Sequence, residues 1–279
     1  MKNKAAKYEQ ILLMGCDINQ NGLVKIGDPI AEEDRCQRSD AMVVLSLDKT
    51  TGRVKLVDLF RDVWVPIPGC GMGKLNEVVV RCGPKETVRL VNEKFRLCIR
   101  RYVQVSVTGL VELVDLLGGV DVKLTAPEVH YINGRMPEIM LVTGRNEPFP
   151  TVHTDGWNRL CGLQALAHAR NRTIGQIVGR ENRINDVLKA MARRIKEELR
   201  PHRRLAFLLA LKKYVRTDLS LLDILRLLPF FLRTDPDTIP AYHAPAEGTF
   251  TVKSDGTWRI EVNFDLASEK LWNYLERPD

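Results

Sequence analysis

RSDAMVVLSLDKTTGRVKLVDLFRD, residues 38–62, decides how the chain is read. Two runs rich in Val, Leu and Met flank DKTTGR, a set of turn residues, so the stretch predicts a β-hairpin. Alternation through Met42, Val44 and Ser46 is weak, as expected for strands buried on both faces. If Leu47 pairs with Val54, counting outward sets Asp40 opposite Arg61 and Ser39 opposite Asp62. The open end of the hairpin then collects Arg38, Asp40, Arg61 and Asp62. Charges gather at the end of an apolar element only if they pair with one another or hold a charged ligand. The hairpin alone leaves both readings open.

Upstream, ILLMGCD reads as a central strand that presents Asp17 at its C-terminal end, where ligands bind in open α/β sheets. Residues 18–37 read as a surface loop, and VWVPIPGCGMGKLN after Asp62 reads as another, with Lys74 near its end. Downstream, Pro84 opens a helix with Val88, Val91 and Phe95 on its core face, RYVQV is a strand, and Leu110 to Leu117 form a helix closed by Gly118 and Gly119. GVDVKL is the next strand. This alternation predicts a layered α/β fold on a mixed sheet, in which the hairpin is the antiparallel pair.

Residues 126–160, broken by Pro127, Pro137, Pro148 and Pro150, read as a long irregular surface excursion. LCGLQALAHARNR predicts a short helix that runs out at Arg170 and Arg172, which point the same way if extended. The clearest helical pattern covers 180–199 and places Arg180 and Arg183 in its first turn. Cations there oppose the helix dipole by about 0.3–1 kcal/mol each, which calls for an anion. Helices at 203–215 and 220–231, a hairpin around Ser254 to Gly256 and a short C-terminal helix complete one domain over 8–279.

The composition is that of a globular protein, 44% hydrophobic and 28% charged, and its net charge of +7 asks for an anionic partner. Nucleic acid, a phospholipid surface and a phosphorylated molecule or polymer all qualify. Aromatic content of only 6% and the absence of a base-reading motif disfavour nucleic acid. Nine lysines and arginines between Arg193 and Arg216 face only Glu197 and Glu198, as a solvated helix face or a surface for membrane or polymer. The six cysteines show no CxxC spacing, which argues against a zinc site and leaves buried thiols and disulfides both open. No apolar run approaches the roughly 20 residues of a membrane span. GxxxxGK[ST], GxGxxG after the first strand and GxSxG are all missing.

Arg38 and Arg61 from the hairpin, Arg170 and Arg172, and Arg180 and Arg183 come from separate segments and can converge. Guanidinium forks match phosphate oxygens, and several together suit a pyrophosphate. Asp17 and Asp40, both at strand ends, could hold one Mg2+ or Mn2+ with water and phosphate oxygens completing the shell. Arginines and metal would offset transition-state charge, while one carboxylate accepts a proton from an attacking hydroxyl.

The order GCD, RSDAM, FRD, GKLN, LLGGVDV, GLQALAHARNR and GRENR resembles the LytR-CpsA-Psr family, from about Tyr8 to the C-terminus. The resemblance implies a three-layer α/β/α sandwich around a mixed central sheet, with an apolar lipid-binding groove. It implies a metal-dependent phosphotransferase that moves a cell-wall glycopolymer, such as teichoic acid or capsular polysaccharide, from a polyprenyl pyrophosphate carrier to peptidoglycan. Asp17 and Asp40 match the metal-binding acids, either of which could be the base. Arg61, Arg170, Arg172 and Arg180 match the arginines that grip the pyrophosphate, Arg38 and Arg183 join them, Lys74 falls in the Lys-Ile-Asn motif, and Asp62 orients Arg61 or Arg38. Phe60, Ala41 and Ile184 depart from the pattern, which commonly has Pro, Ser or Thr, and Gln there. The expected place is the outer face of the bacterial membrane, with the family's N-terminal membrane helix missing from this chain. The alternative on the same fold is a non-catalytic binder of polyprenyl phosphate lipid or anionic polymer.

Overall fold

A computed structural model describes residues 2–17, 38–145, 148, 151–171, 173–174, 176–198, 207, 211 and 213–278. Arg172, the loop expected at 18–37 and most of the helix expected at 203–215 lie outside the described residues.

Three strands form the middle of the central sheet: Tyr8–Asp17 (β1), Arg38–Asp48 (β2) and Val54–Leu59 (β3). Leu47 pairs with Val54 and the ladder runs on to Val43 and Asp58, in the expected register. After the short hairpin Trp64–Ile67 (β4) and Gly71–Lys74 (β5), Arg101–Ser106 (β6) returns to the sheet parallel to β1. Val120–Leu124 (β7) pairs with Gly156–Leu160 (β8) in a separate ribbon. Val215–Thr217 (β9) and Ala241–Ala244 (β10) complete a mixed six-stranded sheet in the order β10-β3-β2-β1-β6-β9. Phe250–Lys253 (β11) and Arg259–Val262 (β12) form the last hairpin.

The helices are Lys2–Lys7 (α1), Leu75–Phe95 (α2), Val107–Leu116 (α3), Ala126–Thr143 (α4), Gly162–Ala169 (α5), Gln176–Arg193 (α6), Leu221–Arg233 (α7) and Phe264–Glu276 (α8). Strand alternation divides the sheet between two helical layers. Leu12, Met14, Met42 and Val44 pack with Leu90, Val91 and Phe95 of α2 and Leu271 and Trp272 of α8. Leu13, Val43 and Leu45 point the other way, toward Ile184 and Leu188 of α6. Both faces are covered, which is why the sequence alternation is weak. The expected α/β/α layering is present.

Four expectations change. VWVPIPGCGMGK is a tight hairpin, β4 to β5, turned by Gly69 and Gly71 at positive φ. Pro84 does open a helix, but a helical segment precedes it, and the two meet at a kink at Gly83 (φ 83°, ψ 171°). GVDVKL stands outside the central sheet. Residues 126–143 are a helix rather than an excursion. Its start is set by Glu128, whose carboxylate accepts from the Thr125 N–H (2.9 Å) and hydroxyl (2.8 Å), with Pro127 in the first turn where its missing N–H costs nothing. Ile132, Met136 and Ile139 then bury at helical spacing.

Glu128 also accepts from Arg183 Nε at 2.6 Å, and Arg183 Nη1 donates to the Ile174 carbonyl at 2.8 Å. Burial pushes the Glu128 carboxyl up, but the Thr125 and Arg183 donors outweigh it and hold the acid below its ordinary range. Both side chains are nearly inaccessible, so removing one leaves a buried charge. Glu128→Ala is expected to cost about 3–5 kcal/mol of unfolding free energy in urea titrations. A loss below about 1 kcal/mol, the range of surface pairs, would contradict this placement.

Candidate active site

The β2–β3 hairpin opens toward the C-terminal end of β1. A bulge between Gly15 and Cys16 shifts the register so that Asp17 faces Arg38. Gly15 and Ala41 are opposite each other, and a Cβ on Gly15 would sit 3.1 Å from the Ala41 Cβ, so small residues keep the sheet face open here. Cys16 beside them is disulfide-bonded, while Cys70, Cys82, Cys98 and Cys161 are free thiols.

Two positions beyond the last residue of β3, Arg61 Nη1 meets Asp40 Oδ1 at 2.5 Å, as the extended register requires. Arg61 Nε also donates to Asp62 Oδ2 at 3.2 Å, and Lys74 Nζ lies 2.8 Å from Asp62 Oδ1. Asp62 is thus the support for Arg61 and Lys74. Desolvation pulls the Arg61 guanidinium down, but the charges of Asp40 and Asp62 outweigh it and hold it above its ordinary value. The main-chain N–H of Asn76 donates to the Arg61 carbonyl at 3.0 Å and ties the β5–α2 junction to this corner.

The second oxygen of Asp40 faces Arg180 Nη2 at 3.6 Å. Helix α6 begins at Gln176, four residues earlier than its periodicity indicates, so Arg180 and Arg183 lie past the first turn and the dipole argument for them lapses. Arg180 reaches the site from the second turn and is buried. Arg183 is turned to Glu128, away from this corner. Arg38 is exposed, and its Nη2 lies 4.0 Å from Glu77 Oε1. Arg170 caps the C-terminal end of α5 and lines the same cavity as Asp40 and Arg180. Asp17 ends β1 at this corner, but its side chain, like Arg172, lies outside what the structure describes.

Glu181 is a site residue that charge counting missed. It is only 2% exposed and lies beside Arg180, with Oε1 3.9 Å from Nη1 and Oε2 without a hydrogen-bond partner among the described residues. Burial pushes its carboxyl up to about 7, against the pull of Arg180 and Arg61. The only signal in the sequence is its place between two arginines in GRENR. Asp58, fully buried on β3, is raised to about 7 by the same desolvation. It accepts from Asn185 Nδ2 at 2.8 Å and lies 3.3 Å from His243 Nδ1. Burial lowers the His243 pKa, so that contact joins a raised acid to a depressed base.

Behind the charged corner runs an apolar cavity of about 230 Å³. Its floor is two rows of the sheet, Ala41–Gly15–Val105 and Val43–Leu13–Val103, and its roof includes Ile184, Val187, Leu188 and Met191 of α6. Ile184 adds a branched apolar side chain to this wall. Asp40, Arg170 and Arg180 stand at the cavity's polar end.

Fold and site together define an α/β protein with a cationic, carboxylate-containing corner at the mouth of an apolar cavity. The family model described as the LytR_cpsA_psr family matches residues 1–275, and the chain belongs to that family. Polyisoprenyl-teichoic acid–peptidoglycan teichoic acid transferase TagU of Oceanobacillus iheyensis is 37% identical over 91 residues, 30% of this chain and 28% of that protein. The TagU transferase of Enterococcus faecalis is 33% identical over 113 residues, 40% of this chain and 34% of that one. These matches span about a third of the relatives' length. Among solved structures, TagT bound to LIIa-WTA superposes with a TM-score of 0.72 at 21% identity, covering 98% of this chain and 91% of that one. TagT with bound octaprenyl pyrophosphate lipid gives 0.67 at 21% identity over 98% and 92%. The likeness confirms the fold.

Glu181 has a testable linkage. A carboxyl raised from 4.5 to about 7 keeps its proton in the native state after the unfolded chain has lost it. Stability therefore falls as pH rises between those values, and the full cost is present above about 7. Glu181→Gln is expected to be more stable than the parent at about pH 8, by up to about 3 kcal/mol, and nearly equal to it at about pH 4, below both values. Urea titrations at both pH values check this, and a variant that is less stable at the higher pH contradicts it.

Proposed function

We propose that this protein is a phosphotransferase that moves a cell-wall glycopolymer from a polyprenyl pyrophosphate carrier to peptidoglycan, outside the cell membrane. One observation carries the reading: Arg61 and Arg180 hold Asp40 at the polar end of an apolar cavity that Arg170 also lines. That arrangement suits a ligand with a diphosphate head and a hydrocarbon tail. The transferase names of the TagU relatives and the lipid-bound TagT structures support it. No helix among the described residues is long and apolar enough to cross a membrane.

In this reading the prenyl chain lies on Leu13, Val43 and Val103, and the diphosphate meets Arg61, Arg180 and Arg170. A hydroxyl of the acceptor sugar attacks the phosphorus that carries the glycopolymer. The new bond is a phosphodiester, the bond to the bridging oxygen breaks, and the polyprenyl phosphate leaves with that electron pair. Asp40 accepts the hydroxyl proton, and the arginines offset charge on the phosphoryl oxygens. Asp62 holds Arg61 and Lys74 in place through both of its oxygens.

A divalent ion fits this corner in one particular way. Among the described residues no three His, Cys, Asp or Glu side chains form a cage, so protein ligands alone would not complete its shell. Mg2+ is ordinarily held by one or two carboxylates with water and phosphate oxygens. Asp40 and Asp17 would supply those carboxylates, and the ion would neutralise diphosphate charge.

Arg61→Ala and Asp40→Asn are each expected to lower phosphate release from a prenyl pyrophosphate analogue by on the order of 100-fold, with unfolding profiles that remain cooperative. Unchanged turnover in both variants would overturn the assignment. Chelation is expected to stop turnover and added Mg2+ or Mn2+ to restore it. Turnover that ignores the chelator would remove the metal from the account and leave the arginines.

A further inference from the structure

Helix α7 is apolar on both sides. Ile224, Leu227, Phe230 and Phe231 are partly buried. Leu221, Leu225, Leu228 and Leu232 are exposed by 64%, 61%, 38% and 41%, and Leu222 beside them by 64%. At 3.6 residues per turn the first four fall within roughly 60° of one another, a continuous leucine stripe facing out. Arg226 and Arg233 are exposed and fall together on its flank beyond Leu222. A water-facing helix does not ordinarily keep such a stripe, and leucines bordered by arginines are the pattern of helices that lie in a bilayer interface.

The position of α7 names the partner. Its first turn is fixed by Ser220, whose hydroxyl donates to Asp223 Oδ2 at 2.8 Å, and Arg101 Nε donates to the same oxygen at 3.0 Å. Arg101 pairs with Ile11, which pairs with Leu45. That row is two residues, about 7 Å, from the Leu13–Val43–Val103 row and on the same sheet face. Helix α7 thus crosses the sheet at the end of the cavity floor remote from Asp40 and Arg61. Exposed Lys49 and Arg53 of the β2–β3 turn share a shallow depression with Phe230 and Arg233 of α7, and exposed Arg100 lies at the same edge. Of the acids here, Asp48 is engaged by Lys7 at 3.3 Å and Asp223 by Arg101, and exposed Asp235, which lines the same depression, accepts from the Asp237 N–H at 3.0 Å and leaves the cations in the majority. This edge therefore presents apolar and cationic groups together.

We infer that α7 seats the protein on an anionic phospholipid bilayer, with its leucine stripe at the acyl boundary and Arg226 and Arg233 on lipid phosphates. The inference deepens the phosphotransferase reading and rests on it for the identity of the tail. The prenyl chain then runs from the bilayer beside α7 along the cavity floor, while the diphosphate and its polymer lie at the far end, toward the wall.

Vesicle co-sedimentation tests it with the whole chain. The parent is expected to pellet with vesicles of phosphatidylcholine and phosphatidylglycerol and far less with phosphatidylcholine alone. Leu225→Glu with Leu228→Glu is expected to weaken partition by about tenfold or more. Arg226→Ser with Arg233→Ser is expected to reduce the preference for anionic vesicles severalfold, with Lys49, Arg53 and Arg100 retaining the remainder. Turnover of a short-chain prenyl pyrophosphate in vesicle-free solution stays at the parent level in all these variants, which separates failure of docking from failure of the proposed chemistry. A parent that stays in the supernatant, or a leucine pair variant that pellets like the parent, overturns the inference. So does a parent dimer that the leucine pair variant dissociates, because the stripe then belongs to a second copy.

Discussion

The carboxylate of Asp40 lies between two guanidinium groups, Arg61 from the far end of the hairpin and Arg180 from α6. Much of the site depends on that one group. Two arginines brought together in a partly desolvated corner repel each other, and the carboxylate between them turns the repulsion into a bridge. It joins the sheet to the helical layer above it, and the bridge lies where the apolar cavity opens. An acid at this point is surrounded by cations before any ligand arrives. A diphosphate entering the corner meets donors already held in place, so little reorganisation remains at the moment of reaction.

Helix α6 distributes its residues among four tasks in little more than two turns. Arg180 and Glu181 face the charged corner, and Ile184, Val187 and Leu188 roof the cavity. Arg183 locks to Glu128 at the start of α4, and Asn185 donates to Asp58 on β3. A Cβ on Gly179 would lie 2.6 Å from the Ile174 carbonyl, so the close approach of the preceding segment depends on that glycine. Movement of this helix would disturb the corner, the cavity and the buried acid network together. Asp58 and Glu181, both raised to about 7, show how much desolvation this packing imposes.

The hairpin and its charged end are legible in the sequence because strand pairing has a period of two. Once Leu47 is set against Val54, Asp40 and Arg61 must meet. The helix at Leu221–Arg233 is legible from Ser220 and Asp223, and the layered α/β class from the order of strands and helices. Helix α4 is hidden by Pro127 and Pro137, although Thr125 and Glu128 carry the capping signal that starts it. The division of Arg180 from Arg183 is not legible. Both fit a phosphate site by charge, and only the arrival of Glu128 from another helix assigns Arg183 to the interior. Glu181 is missed for the opposite reason. A carboxylate among arginines reads as a surface counter-charge until its burial is known.

The central claim is that one amphipathic ligand spans corner and cavity. Diffraction from crystals soaked in a long-chain prenyl pyrophosphate measures this directly. The account predicts diphosphate density among Asp40, Arg61, Arg170 and Arg180, with the hydrocarbon chain over Leu13, Val43 and Val103 beneath α6. Diphosphate density away from these residues, or a chain that lies outside the cavity, would contradict it.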